Sequence, residues 1–239
     1  MHINIKDLKI NYIQYGSGED IVLLHGWGQN IAMMKPLGDL LSSTNRITII
    51  DFPGFGESDD LKNDWTLDDY TDMLKQFIKK LKIKKPILIG HSFGGRVAIN
   101  YSSKEEINKL VLFGSPCIRT QKKLSLKVKI LKFFMKIPCL KNIGEYMKKY
   151  IGSRDYKAAS PILRKTLVHV VNQDLTNEAK TIDKPTLLIW GEHDDESSVN
   201  DAKELEKIIE DSGLIVLPGT HYAYLENLNQ VANILKTFI

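Results

Sequence analysis

The run Gly90-His91-Ser92-Phe93-Gly94-Gly95 combines a nucleophilic residue with a spacing that suits covalent chemistry. It follows the apolar triplet Ile87–Ile89 and precedes the helical run 96–99, so its G-x-S-x-G pattern lies at a strand-to-helix turn. Glycine on both sides of the serine permits a strained turn without crowding from Cβ atoms. The sequence therefore predicts that Ser92 is a nucleophile, raised clear of a sheet at the N-terminus of a helix.

A serine hydroxyl is a poor nucleophile until a base removes its proton, and six histidines could supply that base. Five of them have simpler interpretations. His2 lies in a predicted edge strand, His25 in a glycine loop, and His91 directly beside Ser92. His169 falls on a predicted helix of a lysine-rich segment, and His193 falls in a predicted exposed loop. His221 follows the turn Pro218-Gly219-Thr220 at the end of a predicted strand. We expect His221 to be the base.

The base in turn needs a carboxylate that holds its tautomer and stabilises its positive charge. Asp194, Asp195 and Glu196 all fall in the loop after the seventh predicted strand. Asp51 opens a Pro-Gly loop, where an aspartate is expected to cap backbone groups and stabilise a turn. The acid is therefore expected in the 194–196 loop rather than at Asp51.

Short apolar strands, eight in all, must position these residues. The first two alternate in period two, which is typical of an antiparallel hairpin at a sheet edge, and the other six are continuously apolar, as strands buried on both faces are. The predicted strands are Ile3–Lys6, Lys9–Tyr15, Ile21–Leu24, Ile47–Ile50, Ile87–Ile89, Leu110–Phe113, Leu187–Trp190 and Leu214–Leu217.

Helical patterns separate these strands. Thr66 is a predicted N-cap with Asp69 three residues on, followed by apolar residues at helical spacing to Leu81, and further helices are predicted over 201–211 and 222–238. The alternation predicts an α/β fold with an eight-stranded, mostly parallel sheet and helices on both faces. In such a sheet the functional loops lie at the carboxyl ends of the strands.

The alternation breaks only at residues 116–181, which hold 15 Lys/Arg and 4 Asp/Glu, a net charge of +11 against −7 for the remainder. Residues 124–137 form a predicted helix with a narrow polar stripe and a wide apolar face, and further helical stretches are expected around 143–151 and 161–172. We expect a small helical lid, or cap, inserted after the sixth strand into a core domain of residues 1–115 and 182–239.

The apolar underside of this lid, including Phe133 and Phe134, is expected to face the substrate. Lys127 lies on the apolar side of the predicted helix, where an ammonium group must reach water or meet an anion. An anionic substrate group is one candidate partner for Lys127, and a carboxylate of the core is another. A solvated lysine-rich face is the simpler explanation of the remaining charge.

Composition excludes several classes of protein. The 239 residues are 43% hydrophobic and 26% charged, which is unlike a disordered chain, a fibre or a coiled coil. A net charge of +4 is too small to indicate a nucleic-acid partner. No H-E-x-x-H, C-x-x-C or dinucleotide G-x-G-x-x-G pattern predicts a metal or another cofactor.

The compartment is predicted from what the chain lacks. Cys117 and Cys139 do not make a disulfide framework. The first 16 residues lack the apolar core and cleavage site of a signal peptide, and no run of about 18 apolar residues predicts a membrane span. A cytoplasmic location is expected.

Four loops together carry a family resemblance. Besides Gly90–Gly94, these are His25-Gly26-Trp27-Gly28 after the third strand, Asp51-Phe52-Pro53-Gly54-Phe55-Gly56-Glu57-Ser58 after the fourth, and Gly191-Glu192-His193-Asp194 after the seventh. With His221 past the eighth strand, the whole chain resembles the α/β-hydrolase superfamily, specifically its small, lidded, single-domain serine hydrolases. Their order of nucleophile, acid and base is Ser…Asp…His.

The resemblance implies roles for particular residues. Its G-x-x-D loop selects Asp194 as the acid, with Asp195 as the competing candidate, so that Ser92, Asp194 and His221 form the catalytic triad. The oxyanion hole is expected from the backbone N–H groups of Phe93 and Trp27, whose side chains are then free to line the acyl pocket. His25 is a candidate pocket residue, although its ring is more simply explained by hydrogen bonds to the loop backbone.

The implied function is hydrolysis of a small or medium carboxylic ester through an acyl-enzyme, with a small-molecule substrate and no cofactor. Within the family, a hydrolase of a carbon–carbon bond in a vinylogous diketone, a lactonase, a thioesterase and a lyase of the menaquinone-pathway type remain alternatives. The last group often has Gly-Gly-Arg after the elbow, as Gly94-Gly95-Arg96 does here. A hormone-receptor-like binding protein with an intact triad is the alternative from a different class, and it would show very little turnover.

Overall fold

A computed structural model describes residues 1–118 and 154–239 of the chain. In these residues one eight-stranded sheet has the order β1-β2-β4-β3-β5-β6-β7-β8. The β1–β2 and β2–β4 pairs are antiparallel, and the other five pairs are parallel. The strands are β1 His2–Ile5, β2 Leu8–Gly16, β3 Glu19–Leu24, β4 Asn45–Ile50, β5 Ile87–His91, β6 Lys109–Phe113, β7 Thr186–Gly191 and β8 Ser212–Leu217. The prediction of an eight-stranded, mostly parallel sheet with an antiparallel edge is confirmed.

Nine helices lie within the described ranges. They are α1 Ile31–Leu41, α2 Leu67–Lys80, α3 Phe93–Ser102, α4 Arg154–Ala158, α5 Pro161–Asn172, α6 Thr176–Lys180, α7 Val199–Ile208, α8 Ala223–Glu226 and α9 Leu228–Phe238. None of these helices has both the length and the apolar character that a membrane crossing requires.

Two apolar cores cover the two faces of the sheet, because alternate residues of each strand point to opposite faces. In β3, Val22 and Leu24 pack into the core that contains α2, α3 and α7, whereas Ile21 and Leu23 pack into the core that contains α1 and α9. All four side chains are fully buried. The sheet is therefore packed on both faces, and the loops that follow β5, β7 and β8 begin at the carboxyl ends of strands in this packed sheet.

Helix boundaries follow local capping. Thr66 and Asp69 form the predicted capping box at the start of α2. The helix predicted over 201–211 instead begins at Val199, because the Ser198 side chain accepts a hydrogen bond from the Asp201 N–H. The single helix predicted over 222–238 is wrong: Asn227 separates α8 from α9, and its side-chain amide donates to the carbonyls of Pro218 and Ala223.

The described part of the 116–181 segment contains helices α4, α5 and α6 and no strand. Helix α5 contacts the loop before α2, where the Trp65 N–H donates to Thr166 Oγ1 at 3.0 Å and His169 Nε2 lies 3.1 Å from an Asp64 carboxylate oxygen. The helical stretch predicted around 161–172 is observed as α5. The helix predicted over 124–137, with Lys127, Phe133 and Phe134, lies outside the described residues, as do Cys139 and the stretch predicted around 143–151. The division into core and lid stays a prediction.

Candidate active site

Ser92 lies on a strained turn between β5 and α3. Its backbone has φ +50° and ψ −112°, a conformation that residues other than glycine rarely adopt. The distances available for a side chain show how tight the turn is. A Cβ atom added at Gly94 would lie 2.3 Å from the Leu24 carbonyl oxygen, and one added at Gly90 would lie 2.6 Å from the Cα atom of Gly95. The Ser92 N–H donates to the Phe113 carbonyl at 2.9 Å, which anchors the turn to β6. The two glycines are therefore required by close packing of the backbone.

His221 and Asp194 form a buried pair at the same edge of the sheet. His221 Nδ1 lies 2.8 Å from Asp194 Oδ2, and the side chains are only 6% and 0% exposed. Asp194 Oδ1 accepts from the N–H groups of Glu196 and Ser197 at 2.9 and 2.8 Å. Because Oδ1 is occupied by two donors, Oδ2 is directed at the imidazole and holds a proton on Nδ1. The Nε2 atom is left as the basic nitrogen.

The loops that carry these two side chains are hydrogen-bonded to each other. The N–H groups of Glu192 and His193 donate to the carbonyls of Leu217 and Gly219, each at 2.9 Å. Gly114, at the end of β6, lies beneath the pair, and a Cβ atom there would come within 3.0 Å of both Asp194 Oδ2 and His221 Nδ1. The geometry of acid and base is therefore set by backbone contacts among three loops.

His91 has a role that the sequence did not indicate. The ring is fully buried and its Nε2 donates to the His221 carbonyl oxygen at 3.0 Å, with the two imidazole rings 4.7 Å apart. Burial, together with a smaller contribution from the nearby His221 charge, lowers the pKa of His91 to about 3, so the ring is neutral. His91 thus holds the backbone of His221 in place. The available signal was its position one residue before Ser92.

His25 and Asp51 are both occupied by backbone contacts. His25 is fully buried, donates from Nδ1 to the Gly26 carbonyl at 2.7 Å and accepts the Phe52 N–H on Nε2 at 3.0 Å. Burial holds the pKa of His25 well below its usual value. The Asp51 carboxylate accepts the N–H groups of Ile31 and Glu57, so it caps α1 and closes the loop. His25 therefore has no free nitrogen for a substrate, and Asp51 is not directed at the base by these bonds.

Trp27 and Phe93, the candidate oxyanion-hole residues, pack against each other with ring centroids 5.4 Å apart. The Phe93 ring also meets Phe52 and Tyr70 edge-on and is only 3% exposed. The Phe93 ring is therefore part of this aromatic core, and these contacts leave little of its surface free for a substrate. Trp27 is half-buried, and the neighbouring Gly28 has φ +70° with open space around its Cβ position.

Arg96, four residues after Ser92, is buried, and its guanidinium contacts residues of the 116–181 segment. Its Nη1 donates to the Pro116 carbonyl at 2.5 Å, and its Nη2 donates to the carbonyls of Val170, at 2.9 Å, and Gln173. These bonds tie both Nη atoms of the guanidinium to backbone oxygens, which gives the Gly-Gly-Arg sequence a structural role. The thiol of Cys117, next to Pro116, is buried, and burial raises its pKa to about 12.

The remaining candidates lie at the periphery. Asp195 and His193 are exposed, and His193 pairs with Glu192 at 3.2 Å. Glu196 is exposed too, but its Oε2 lies 3.5 Å from His221 Nε2. Within the described ranges no group of three or more His, Cys, Asp or Glu side chains could hold a metal ion.

Comparison with known proteins gives the family. A family model described as the alpha/beta hydrolase fold matches residues 21–136. A pimeloyl-[acyl-carrier protein] methyl ester esterase of Shewanella woodyi is 30% identical over 205 residues, which cover 75% of this chain and 77% of that protein. This chain belongs to the α/β-hydrolase superfamily. Another relative is the 2-hydroxy-6-oxo-6-(2'-aminophenyl)hexa-2,4-dienoic acid hydrolase of Metapseudomonas resinovorans, 26% identical over 259 residues, which cover 99% of this chain and 89% of that protein.

A solved structure shares the fold over nearly the full length of the chain. An esterase from Exiguobacterium antarcticum superposes with a TM-score of 0.79, covers 99% of this chain and 98% of its own, and is 23% identical. The fold resemblance therefore extends across both described ranges, and the family model and the sequence relatives make the chain a hydrolase of the α/β family.

Proposed function

We propose that this α/β-hydrolase cleaves a small or medium carboxylic ester through an acyl-enzyme. The observation that carries the proposal is the buried His221–Asp194 pair, with the imidazole held on Nδ1 and its Nε2 without a hydrogen-bond partner among the described residues. A buried imidazole nitrogen without a partner is costly unless function uses it. The strained turn that carries Ser92 is the second support.

In the proposed reaction, Ser92 Oγ attacks the ester carbonyl carbon while His221 Nε2 takes the hydroxyl proton. Asp194 keeps the other proton on Nδ1 and stabilises the imidazolium. The N–H groups of Phe93 and Trp27 stabilise the tetrahedral oxyanion. His221 then gives its proton to the leaving alcohol, and a water molecule activated by the same nitrogen releases the acid. No cofactor takes part.

The ester assignment is supported by the methyl ester esterases among the relatives, so we propose a small alcohol as leaving group. The second candidate is hydrolysis of a carbon–carbon bond in a vinylogous diketone, which the relative named for a 2-hydroxy-6-oxo-dienoic acid favours. A lyase of the menaquinone-pathway type loses support, because the guanidinium that suggested it binds backbone carbonyls.

The test is a substrate panel with Ser92→Ala as the decisive variant. Aryl esters of increasing acyl length, a thioester, a lactone and a vinylogous diketone are compared by kcat/KM. Ser92→Ala is expected to lower ester hydrolysis at least about 10³-fold and to abolish labelling by a fluorophosphonate probe. The surface variant Ser43→Ala, an exposed turn residue, serves as control and retains both.

Two outcomes would contradict the proposal. Labelling that persists in Ser92→Ala would place the nucleophile elsewhere. Binding of esters with fewer than one product molecule formed per chain would favour the receptor alternative over an enzyme.

A further inference from the structure

A carboxylate that the proposed triad does not use lies beside the base. Glu196 Oε2 lies 3.5 Å from His221 Nε2, and the Glu196 side chain is 63% exposed whereas that of His221 is 6% exposed. His221 Nε2 is buried and makes no hydrogen bond to any described residue. Glu196 is thus the carboxylate that meets whatever approaches this nitrogen from solvent.

The backbone of Glu196 is held in place by Asp194, the proposed acid. The Glu196 N–H donates to Asp194 Oδ1 at 2.9 Å, so its backbone moves with the acid–base pair. The carboxylate can rotate about its side-chain bonds, but its anchor point beside His221 is constant. Its negative charge is therefore a lasting feature of this side of the site.

Asp155, on α4, is a second carboxylate that interacts electrostatically with His221, but partial burial raises its pKa and so disfavours its charged form. Glu196, in the loop after β7, is therefore the carboxylate whose place beside the base is given by a distance.

In acyl transfer, the part of the substrate that lies near the Glu196 carboxylate follows from the path of the proton. The proton on Nε2 must pass to the oxygen of the leaving alcohol, so that oxygen comes within about 3 Å of Nε2. The first few atoms beyond it then lie within reach of the Glu196 carboxylate. The acyl chain, by contrast, extends from the carbonyl carbon on the other side of the scissile bond.

We infer that Glu196 is a specificity-determining residue that favours esters whose alcohol carries a cation, such as an amino alcohol or a quaternary ammonium alcohol. This inference rests on the proposed function. Because the carboxylate is largely exposed, water and salt screen it, and exposed ion pairs change equilibria only about 1.5- to 5-fold. Glu196 therefore biases the choice of alcohol rather than deciding it alone.

The test compares two esters of one acid that differ only in charge: the choline ester, and the 3,3-dimethylbutyl ester in which carbon replaces the quaternary nitrogen. The measured quantity is the ratio of kcat/KM for the cationic ester to kcat/KM for the neutral ester. Glu196→Gln is expected to lower this ratio about 2- to 5-fold, and Glu196→Lys to lower it further, because the charge is reversed. Asp195→Asn is the matched control, since it removes an adjacent exposed charge.

A ratio that falls in both Glu196 variants, stays constant in Asp195→Asn and falls in the wild-type protein at about 1 M salt supports the inference. An unchanged ratio in Glu196→Gln, or an equal change in Asp195→Asn, overturns it while ester hydrolysis still supports the proposed function. If neither ester is hydrolysed by the wild-type protein, the proposed function fails and the inference fails with it.

Discussion

Replacing the buried acid with its amide, Asp194→Asn, is expected to lower kcat/KM for an ester by up to about 10⁴-fold. The reason is the tautomer. The Asn oxygen keeps the place of Oδ1, which accepts the N–H groups of Glu196 and Ser197, so the NH₂ group takes the place of Oδ2. An NH₂ group donates, and it therefore requires an unprotonated Nδ1 on His221, which moves the ring proton to Nε2. A protonated Nε2 of the neutral ring cannot accept the proton of Ser92.

The magnitude follows from how firmly the amide is held. Rotating it by 180° would restore the active tautomer, but the NH₂ group would then face two N–H donors that lie 2.8 and 2.9 Å from the oxygen in the native structure. Losing two such bonds costs about 1–3 kcal/mol each, so the inactive orientation dominates. A 10⁴-fold loss corresponds to about 5 kcal/mol of transition-state stabilisation.

The assay is steady-state hydrolysis of an aryl ester by the wild-type protein, Asp194→Asn and Asp195→Asn, with urea unfolding to compare stability. Asp195 is exposed and one residue away, so Asp195→Asn is expected to remain near the wild-type rate. A loss of less than tenfold in Asp194→Asn, or a larger loss in Asp195→Asn, would refute the tautomer argument and move the acid to another carboxylate.

Two further predictions concern stability. Arg96→Met leaves the part-buried carbonyl of Pro116 and the buried carbonyl of Val170 without their donor, so the free energy of unfolding in urea should fall by about 2–5 kcal/mol. The control Arg46→Met breaks a part-exposed ion pair with Asp20 and should cost at most about 1 kcal/mol, and equal effects of the two variants would contradict the role of Arg96. His25 and His91 have lowered pKa values, so the native state binds fewer protons than the unfolded chain below about pH 6.5. The free energy of unfolding should therefore fall as the pH drops from there toward about 3, by about 1.4 kcal/mol per pH unit for each ring. Urea unfolding at several pH values measures this slope, and a slope that His91→Gln does not reduce would argue against a neutral buried ring.

The sheet, the turn that carries Ser92 and the pairing of Asp194 with His221 were largely predictable because they depend on local patterns. Six continuously apolar runs predicted strands buried on both faces, and five of them are; the sixth, β8, is an edge strand with Val216 exposed. Ser92, Asp194 and His221 follow parallel strands, whose carboxyl ends meet at one edge, so their placement at that edge needed no knowledge of side-chain contacts. Thr66 and Asp69 marked a helix start for the same reason, since the capping box is formed within four residues.

What the sequence did not predict depends on contacts between distant segments. The hydrogen bond from His91 to the His221 carbonyl joins residues 130 positions apart, and the proximity of Glu196 to Nε2 depends on how two loops approach. The burial of Phe93 depends on aromatic residues from three other segments, so periodicity could not reveal it. The break at Asn227 arises because its side chain binds the Pro218 carbonyl, nine residues earlier.

Arg96 holds together two points of the chain that are far apart in sequence. Its guanidinium binds the carbonyls of Pro116 and Gln173, and a backbone hydrogen bond runs from the Leu175 N–H to the Cys117 carbonyl beside them. Once two ends are held together, a change in the length of chain between them alters the closure entropy only slowly, by about 0.6 kcal/mol for each doubling. The length of the segment between Pro116 and Gln173 can therefore change at little cost in free energy, while the nucleophile turn four residues before Arg96 keeps its geometry.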